Sequence, residues 1–189
     1  MADDAPGLVE AAKAGDRAAL EKLLRTHQPA VYAVCRQILG NEPDAFDAMQ
    51  DALIAIVRGL GRFDGRSRFS TWVYRIATNT CLDEIRRRRR RPVPGLSDHD
   101  RAGTTQPGRV DDQVVARVDV DRALQAVAPD FRVAVVLRDL CALDYAEIAE
   151  ALDIAPGTVR SRIARGRRLL ADQLGGNHEP LARRHTPRA

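Results

Sequence analysis

Apolar residues recur at helical spacing in two stretches of this chain, and between them the periodicity stops. In the first stretch Asp16 is placed to cap a helix over Ala18 to Leu24. Pro29 is placed to open a second helix to Leu39, and Gly40 to close it. Pro43 sits in the first turn of a third helix that reaches about Arg58. At about 100° per residue, Phe46, Met49, Leu53, Ile56 and Val57 share one arc of that helix, the expected core face. Asp44, Asp47, Asp51 and Arg58 fall on the opposite arc with Ile54 beside them. A carboxylate stripe of this kind is by default a solvated face, a reading that an exposed Ile54 weakens somewhat. After Gly59 and Gly61, turn residues lead from Arg62 into a helix that continues through the arginines at 86 to 91. There Val73, Tyr74, Ala77, Cys81 and Ile85 form the expected buried arc. Trp72, Arg75 and Asn79 stack on one exposed face, although on helical pattern alone a Trp at this position is more often a core anchor.

The second stretch reads as a helix from Asp119 through Ala126 and another from Pro129 through Leu140. Asp144-Tyr-Ala-Glu147 is a capping box with Asp in place of Ser or Thr, opening a short helix that ends near Leu152. Three residues later Pro156 suits the first turn of a longer helix. A short helix, a tight turn and a longer helix is the helix-turn-helix signature. In the long helix Val159, Ile163, Gly166 and Leu170 share the packing face, and Arg160, Ser161, Ala164, Arg165 and Arg168 the outer one. Between the stretches Pro92, Pro94, Gly95, Gly103, Pro107 and Gly108 interrupt any helix. The expected organisation is all-α: two small helical domains, 8–92 and 119–174, joined by a flexible linker at 93–118 and followed by a disordered tail at 175–189.

Composition supports a folded helical chain. Of 189 residues 44% are hydrophobic and only 4% aromatic, a vocabulary of Ala, Val, Leu and Ile that disfavours an all-β reading. Cys35, Cys81 and Cys141 are odd in number and far apart, so no disulfide framework or metal knuckle is implied and a reducing cytoplasm is expected. No run of apolar residues is long enough to span a bilayer, and Asp3, Asp4 and Glu10 stand where a signal peptide carries positive charge. His27, His99, His178 and His185 are scattered and no phosphate-binding glycine loop is present, so neither catalytic residues nor a metal or other cofactor are expected.

The net charge of +4 conceals large opposing blocks: −3 over 1–60, +7 over 61–92, −6 over 93–158 and +6 over 159–189. All basic residues except Lys13 and Lys22 are arginines, which suits planar contact with phosphates and bases but also follows from codon bias. Six consecutive arginines imply a polyanionic partner or a solvated tail. A positive helix with Trp72 at one end, Arg75 and Asn79 can hold phosphates with Arg and stack or hydrogen-bond an unpaired base with Trp and Asn. On the last helix, Arg side chains can pair with guanine in the major groove. Thr158 and Ser161 can reach phosphate, and Ala164 leaves room for a thymine methyl.

The order of these segments resembles the extracytoplasmic-function (ECF) sigma factors of bacterial RNA polymerase, which carry two promoter-reading domains, σ2 and σ4. Asp44-Ala-Phe-Asp-Ala-Met-Gln-Asp-Ala-Leu53 is similar to the family's D-A-x-D-x-x-Q-[DE]-x-F helix, with Leu53 in place of Phe. Arg62-Phe-Asp through Trp72-Val-Tyr-Arg-Ile-Ala-Thr-Asn79 is similar to its R-F-x-G-x-S-x-F-x-T-W-L-Y-R-I-A-x-N segment. Asp144-Tyr-Ala-Glu-Ile-Ala and Gly157-Thr-Val-Arg-Ser-Arg162 are similar to its region-4 signatures.

The resemblance implies a σ2-like bundle and a σ4-like helix-turn-helix, and core RNA polymerase as partner through the β′ clamp helices and the β subunit. Asp44, Asp47, Gln50, Asp51 and Ile54 would dock on polymerase. Arg62, Arg66, Ser67, Trp72, Arg75, Asn79 and Arg86 would bind the melted −10 element, and Thr158, Arg160, Ser161, Ala164, Arg165 and Arg168 the −35 element. The resemblance also implies an anti-sigma factor as partner and no small-molecule substrate. The alternative is a helix-turn-helix regulator acting without polymerase, which leaves the acidic stripe and the 62–79 segment without a use.

Overall fold

A computed structural model describes residues 6–90 and 120–176. The expected linker at 93–118 and the tail beyond residue 176 lie outside the described residues. The chain runs through α1 (Pro6–Lys13), α2 (Arg17–Leu39), α3 (Glu42–Gly59), a 3-10 turn at Leu60–Arg62 and α4 (Phe69–Arg90). It resumes with α5, described over 120–126. After it come α6 (Pro129–Val135), which widens into a π-helical turn at Val136–Leu140, then α7 (Tyr145–Leu152) and α8 (Pro156–Gly176). No strand occurs among the described residues.

The caps are largely those the sequence dictates. The Asp16 carboxylate accepts from the amides of Ala18 and Ala19 at 2.9 and 3.2 Å, satisfying donors that a helix start leaves open. Gly40 ends α2 at φ 84°, a left-handed conformation that glycine adopts without strain. Between them α2 is one helix of 23 residues, not the two expected around Pro29. An interior proline removes the hydrogen bond to the carbonyl four residues back and crowds that carbonyl with its ring, a cost that packing of the rest of the helix can offset. Pro29 lies on the exposed side, where water reaches that carbonyl, while Leu23, His27, Val31, Val34, Cys35 and Ile38 keep the other side buried.

The core face of α3 also differs from the expected one. Ala45, Ala48, Met49, Ala52 and Ile56 are buried, while Phe46, Ile54 and Val57 are 48%, 48% and 42% exposed. Three alanines let α3 lie close to α2 and α4, and close backbone approach displaces the larger apolar side chains outward. A reading weighted toward bulky residues therefore turns the core arc by roughly 80°.

The two modules pack against each other, α4 on α7 and the end of α2 on α6 and the π turn. At the second contact the buried Arg132 reaches the carbonyl of Ile38 in the last turn of α2, the carbonyl of Gln125 at 2.8 Å and that of Val127 at 3.0 Å. It also donates to the side chain of Gln125. Gln125 in turn donates to the carbonyl of Gln37 at 3.0 Å, and Gln37 to Asp121 at 2.9 Å. Burial, with Arg89 as a lesser influence, lowers the Arg132 pKa to about 10, so the side chain remains a cation. It faces the negative end of the α2 dipole. Arg132→Met is expected to leave these carbonyls unpaired and to cost about 2–4 kcal/mol, read as a lower urea midpoint for the whole chain.

Candidate nucleic-acid interface

Three surfaces carry the sequence-derived candidates. The first is built on the start of α4. Phe63, Phe69 and Trp72 form an aromatic cluster with ring centroids 5.4 to 5.5 Å apart. His27 meets Phe69 edge-on at 5.2 Å. Trp72 is only 8% exposed, and a Cβ on Gly59 would stand 3.1 Å from its ring. Of the two readings of Trp72 the structure supports the core anchor, and its place among the residues that would face an unpaired base is corrected. Helical arc counting misses this because Trp72 lies in the first turn of α4, where the preceding loop folds over it.

Arg75, Asn79 and Arg86 do share one side of α4, within an arc of about 40°. Asn79 is exposed and Arg75 half-buried. Arg86 pairs with Asp83 at 2.9 Å. Arg62 and Arg66 are exposed on the loop before α4, and Ser67 is half-buried there. The Asp64 carboxylate holds that loop by accepting from the Arg66 amide at 3.1 Å and pairing with its guanidinium at 3.2 Å.

The second surface is α8. Asp144 accepts from the Glu147 amide and the Glu147 carboxylate accepts from the Asp144 amide, both at 2.8 Å, so the capping box forms and α7 begins where expected. Asp153 ends α7 in the left-handed region at φ 52°. Val159, Ile163 and Gly166 are buried. A Cβ on Gly166 would stand 2.6 Å from Val135 and 3.0 Å from the Phe131 carbonyl, so the absent side chain sets how closely α8 lies on α6. Thr158, Arg160, Ser161, Ala164, Arg165 and Arg168 are exposed. Ser161 donates to the Thr158 carbonyl at 2.9 Å.

Arg162 pairs with Asp130 at 3.9 Å, and Arg167 is bonded to Asp139, whose carboxylate raises its pKa. Arg160, Arg165 and Arg168 form no ion pair among the described residues. The Arg160 guanidinium lies 5.8 Å over Tyr145 and that of Arg165 5.4 Å over Phe131, contacts that orient a guanidinium without neutralising it.

The third surface is the outer side of α3. Asp47, Gln50, Asp51 and Ile54 are exposed together, as expected, but Phe46 and Val57 join them. Asp44 departs from the group, half-buried and ion-paired with Arg88 of α4. The face is therefore mixed apolar and acidic. Sequence reasoning assigned Phe46 and Val57 to the core, and the signal that would have placed them outside is the alanine spacing at 45, 48 and 52.

Cys35, Cys81 and Cys141 are free and buried. A hydrogen bond with Cys35 and burial push the Cys81 thiol far up, and burial raises Cys141 to about 12. Thiolate is the reactive form, so Cys81 and Cys141 are not expected to react with a disulfide reagent at pH 8 until the chain unfolds, and Cys35, fully buried, is out of the reagent's reach. Rapid labelling of native protein, followed by absorbance, contradicts this.

Comparison with known proteins adds a family. The sigma-70 region 2 profile matches residues 23–91, and the sigma-70 region 4 profile residues 117–170. The ECF RNA polymerase sigma factor SigM of Mycobacterium tuberculosis is 38% identical over 169 residues, covering 89% of this chain and 83% of its own. A sigma factor RpoE, solved with the anti-sigma factor NepR from Bartonella quintana, superposes with a TM-score of 0.70 at 24% identity over 82% of this chain and 96% of its own. CnrH, solved with the cytosolic domain of CnrY, superposes with a TM-score of 0.67 at 25% identity over 90% and 96%.

Proposed function

The chain belongs to the ECF group of the sigma-70 family, and from that premise we propose how its three surfaces divide the work of starting transcription. It is a non-enzymatic initiation factor that binds core RNA polymerase and directs it to promoters. The outer face of α3, with Asp47, Gln50, Asp51 and Ile54 and with Phe46 and Val57 added, docks on the β′ clamp helices. Asp44 acts from behind by fixing Arg88. Arg62, Arg66, Ser67, Arg75, Asn79 and Arg86 hold the non-template strand of the −10 element, with Trp72 supporting the loop from inside. Thr158, Arg160, Ser161, Ala164, Arg165 and Arg168 enter the major groove at the −35 element.

The observation that carries this reading is the sorting of arginines on α8. Two are tied to carboxylates and three face outward unpaired, as a groove-reading helix needs. A regulator working without polymerase would use α8 equally well but would give the mixed face of α3 no task. Each DNA contact alone is weak, and joining them in one chain makes the second contact effectively intramolecular. The relatives solved with anti-sigma factors support control of this chain by such a protein, with the factor acting in the cytoplasm. No described helix is long and apolar enough to cross a membrane.

Transcription with purified core polymerase on fragments of the source genome tests the whole reading. Start sites that depend on the chain and share two upstream elements are expected. Duplex binding with silent polymerase would favour the regulator. Within that assay Asn79→Ala is expected to impair open-complex formation while leaving polymerase binding intact, as followed by permanganate footprinting. Arg165→Ala is expected to weaken −35 binding by about 1–3 kcal/mol, measured by titration of duplex promoter fragments.

A further inference from the structure

The start of α6 lies along one flank of α8. Gly166 makes this approach possible, since a Cβ there would stand 3.0 Å from the Phe131 carbonyl and 2.6 Å from a methyl of Val135. At that spacing two consecutive residues of α6 meet two arginines set one turn apart on α8. Asp130 pairs with Arg162 at 3.9 Å, and the ring of Phe131 stands 5.4 Å from the Arg165 guanidinium.

The two contacts treat their arginines differently. A carboxylate takes up N–H donors and cancels charge. An aromatic ring attracts a cation over its face within about 6 Å and supplies no acceptor oxygen, so the donors of Arg165 stay available for a base edge. The ring also restricts the side chain. An arginine free in solvent gives up rotamer freedom when it forms a bidentate pair, and one already held gives up less. Phe131 is half-buried and Arg165 exposed, so the ring is a fixed support and the guanidinium an accessible group. Arg160 has a ring of its own, but Tyr145 divides its face between Arg160 at 5.8 Å and Arg138 at 5.2 Å. Among the described residues Phe131 serves Arg165 alone.

We infer that Phe131 is a positioning residue for promoter recognition: its ring, without touching DNA, sets the direction in which Arg165 presents its donors, and so how sharply the chain discriminates the base pair that Arg165 meets. The inference rests on the assignment of Arg165 to the −35 element. An aliphatic residue at 131 would relax base preference at that step with every residue of α8 unaltered.

The test uses the full chain bound to core polymerase, titrated against a promoter duplex that it transcribes and against the same duplex with each −35 base pair substituted in turn. The position that Arg165 reads is the one at which Arg165→Ala no longer discriminates. Phe131→Leu keeps an apolar side chain and removes the ring face. Its discrimination at that position is expected to fall about two- to fivefold, while the other positions and the salt dependence stay as in wild type, because no charge is lost. Phe131→Tyr restores a ring and is expected to restore discrimination. In F131L/R165A the loss is expected to equal that of Arg165→Ala alone, as it must when one residue acts through the other. Circular dichroism and the urea midpoint check folding, and Phe131→Met stands in should Phe131→Leu not fold.

A merely structural role for Phe131 would weaken binding evenly across the element and would persist in the Arg165→Ala background. Either result overturns the inference, as does a Phe131→Leu variant that discriminates like wild type. Failure of the underlying assignment has a separate signature: Arg165→Ala would itself discriminate like wild type at every position, and the inference would fall with it.

Discussion

Arg132 is the point on which the arrangement of the two modules depends. It is a cation buried without a carboxylate, and the cost of taking it out of water is met by carbonyls from α2, α5 and the turn before α6. Removing any one of those segments would strand either the charge or the carbonyls, and a stranded buried charge costs far more than an intact cluster gains. The guanidinium therefore demands that the end of α2 and the start of the second module stay together, and the network through Gln125, Gln37 and Asp121 extends that demand.

Close backbone approach is the second constraint, and it comes from side chains that are small or absent. Alanines at 45, 48 and 52 seat α3, and Gly166 seats α8 on α6. On α3 the result is that large apolar side chains stand on the surface. These are Phe46, Ile54 and Val57 beside Asp47 and Asp51, which is how a helix comes to present apolar area and negative charge together.

Local signals were well encoded. The Asp16 and Asp144 caps, the Gly40 stop, the Pro156 start and the two faces of α8 were legible because each depends on residues within one or two turns. Pro29 was misread because proline is compatible with a helix when the lost hydrogen bond faces solvent. The core arc of α3 was misread because hydrophobicity counts methyl groups while packing also counts clearance. Trp72 was left between core and open face because the group that buries it is a loop, which has no period. The seam between the modules was invisible for another reason. Gln37 meets Asp121 across 84 positions and Thr71 meets Glu147 across 76, and no local pattern links residues so distant.

The arginines of α8 bear on a problem any basic helix faces. Five guanidiniums wound around 21 residues would give a positive cylinder with no preferred side, able to lie against DNA at any rotation about its axis. Arg162 and Arg167 flank the buried stripe on its two edges, and each is tethered to a carboxylate of the scaffold, at Asp130 and Asp139. Those tethers act as stays on either side of a mast. They spend two charges to fix the azimuth of the remaining three, and so turn a diffuse electrostatic attraction into a helix with a front.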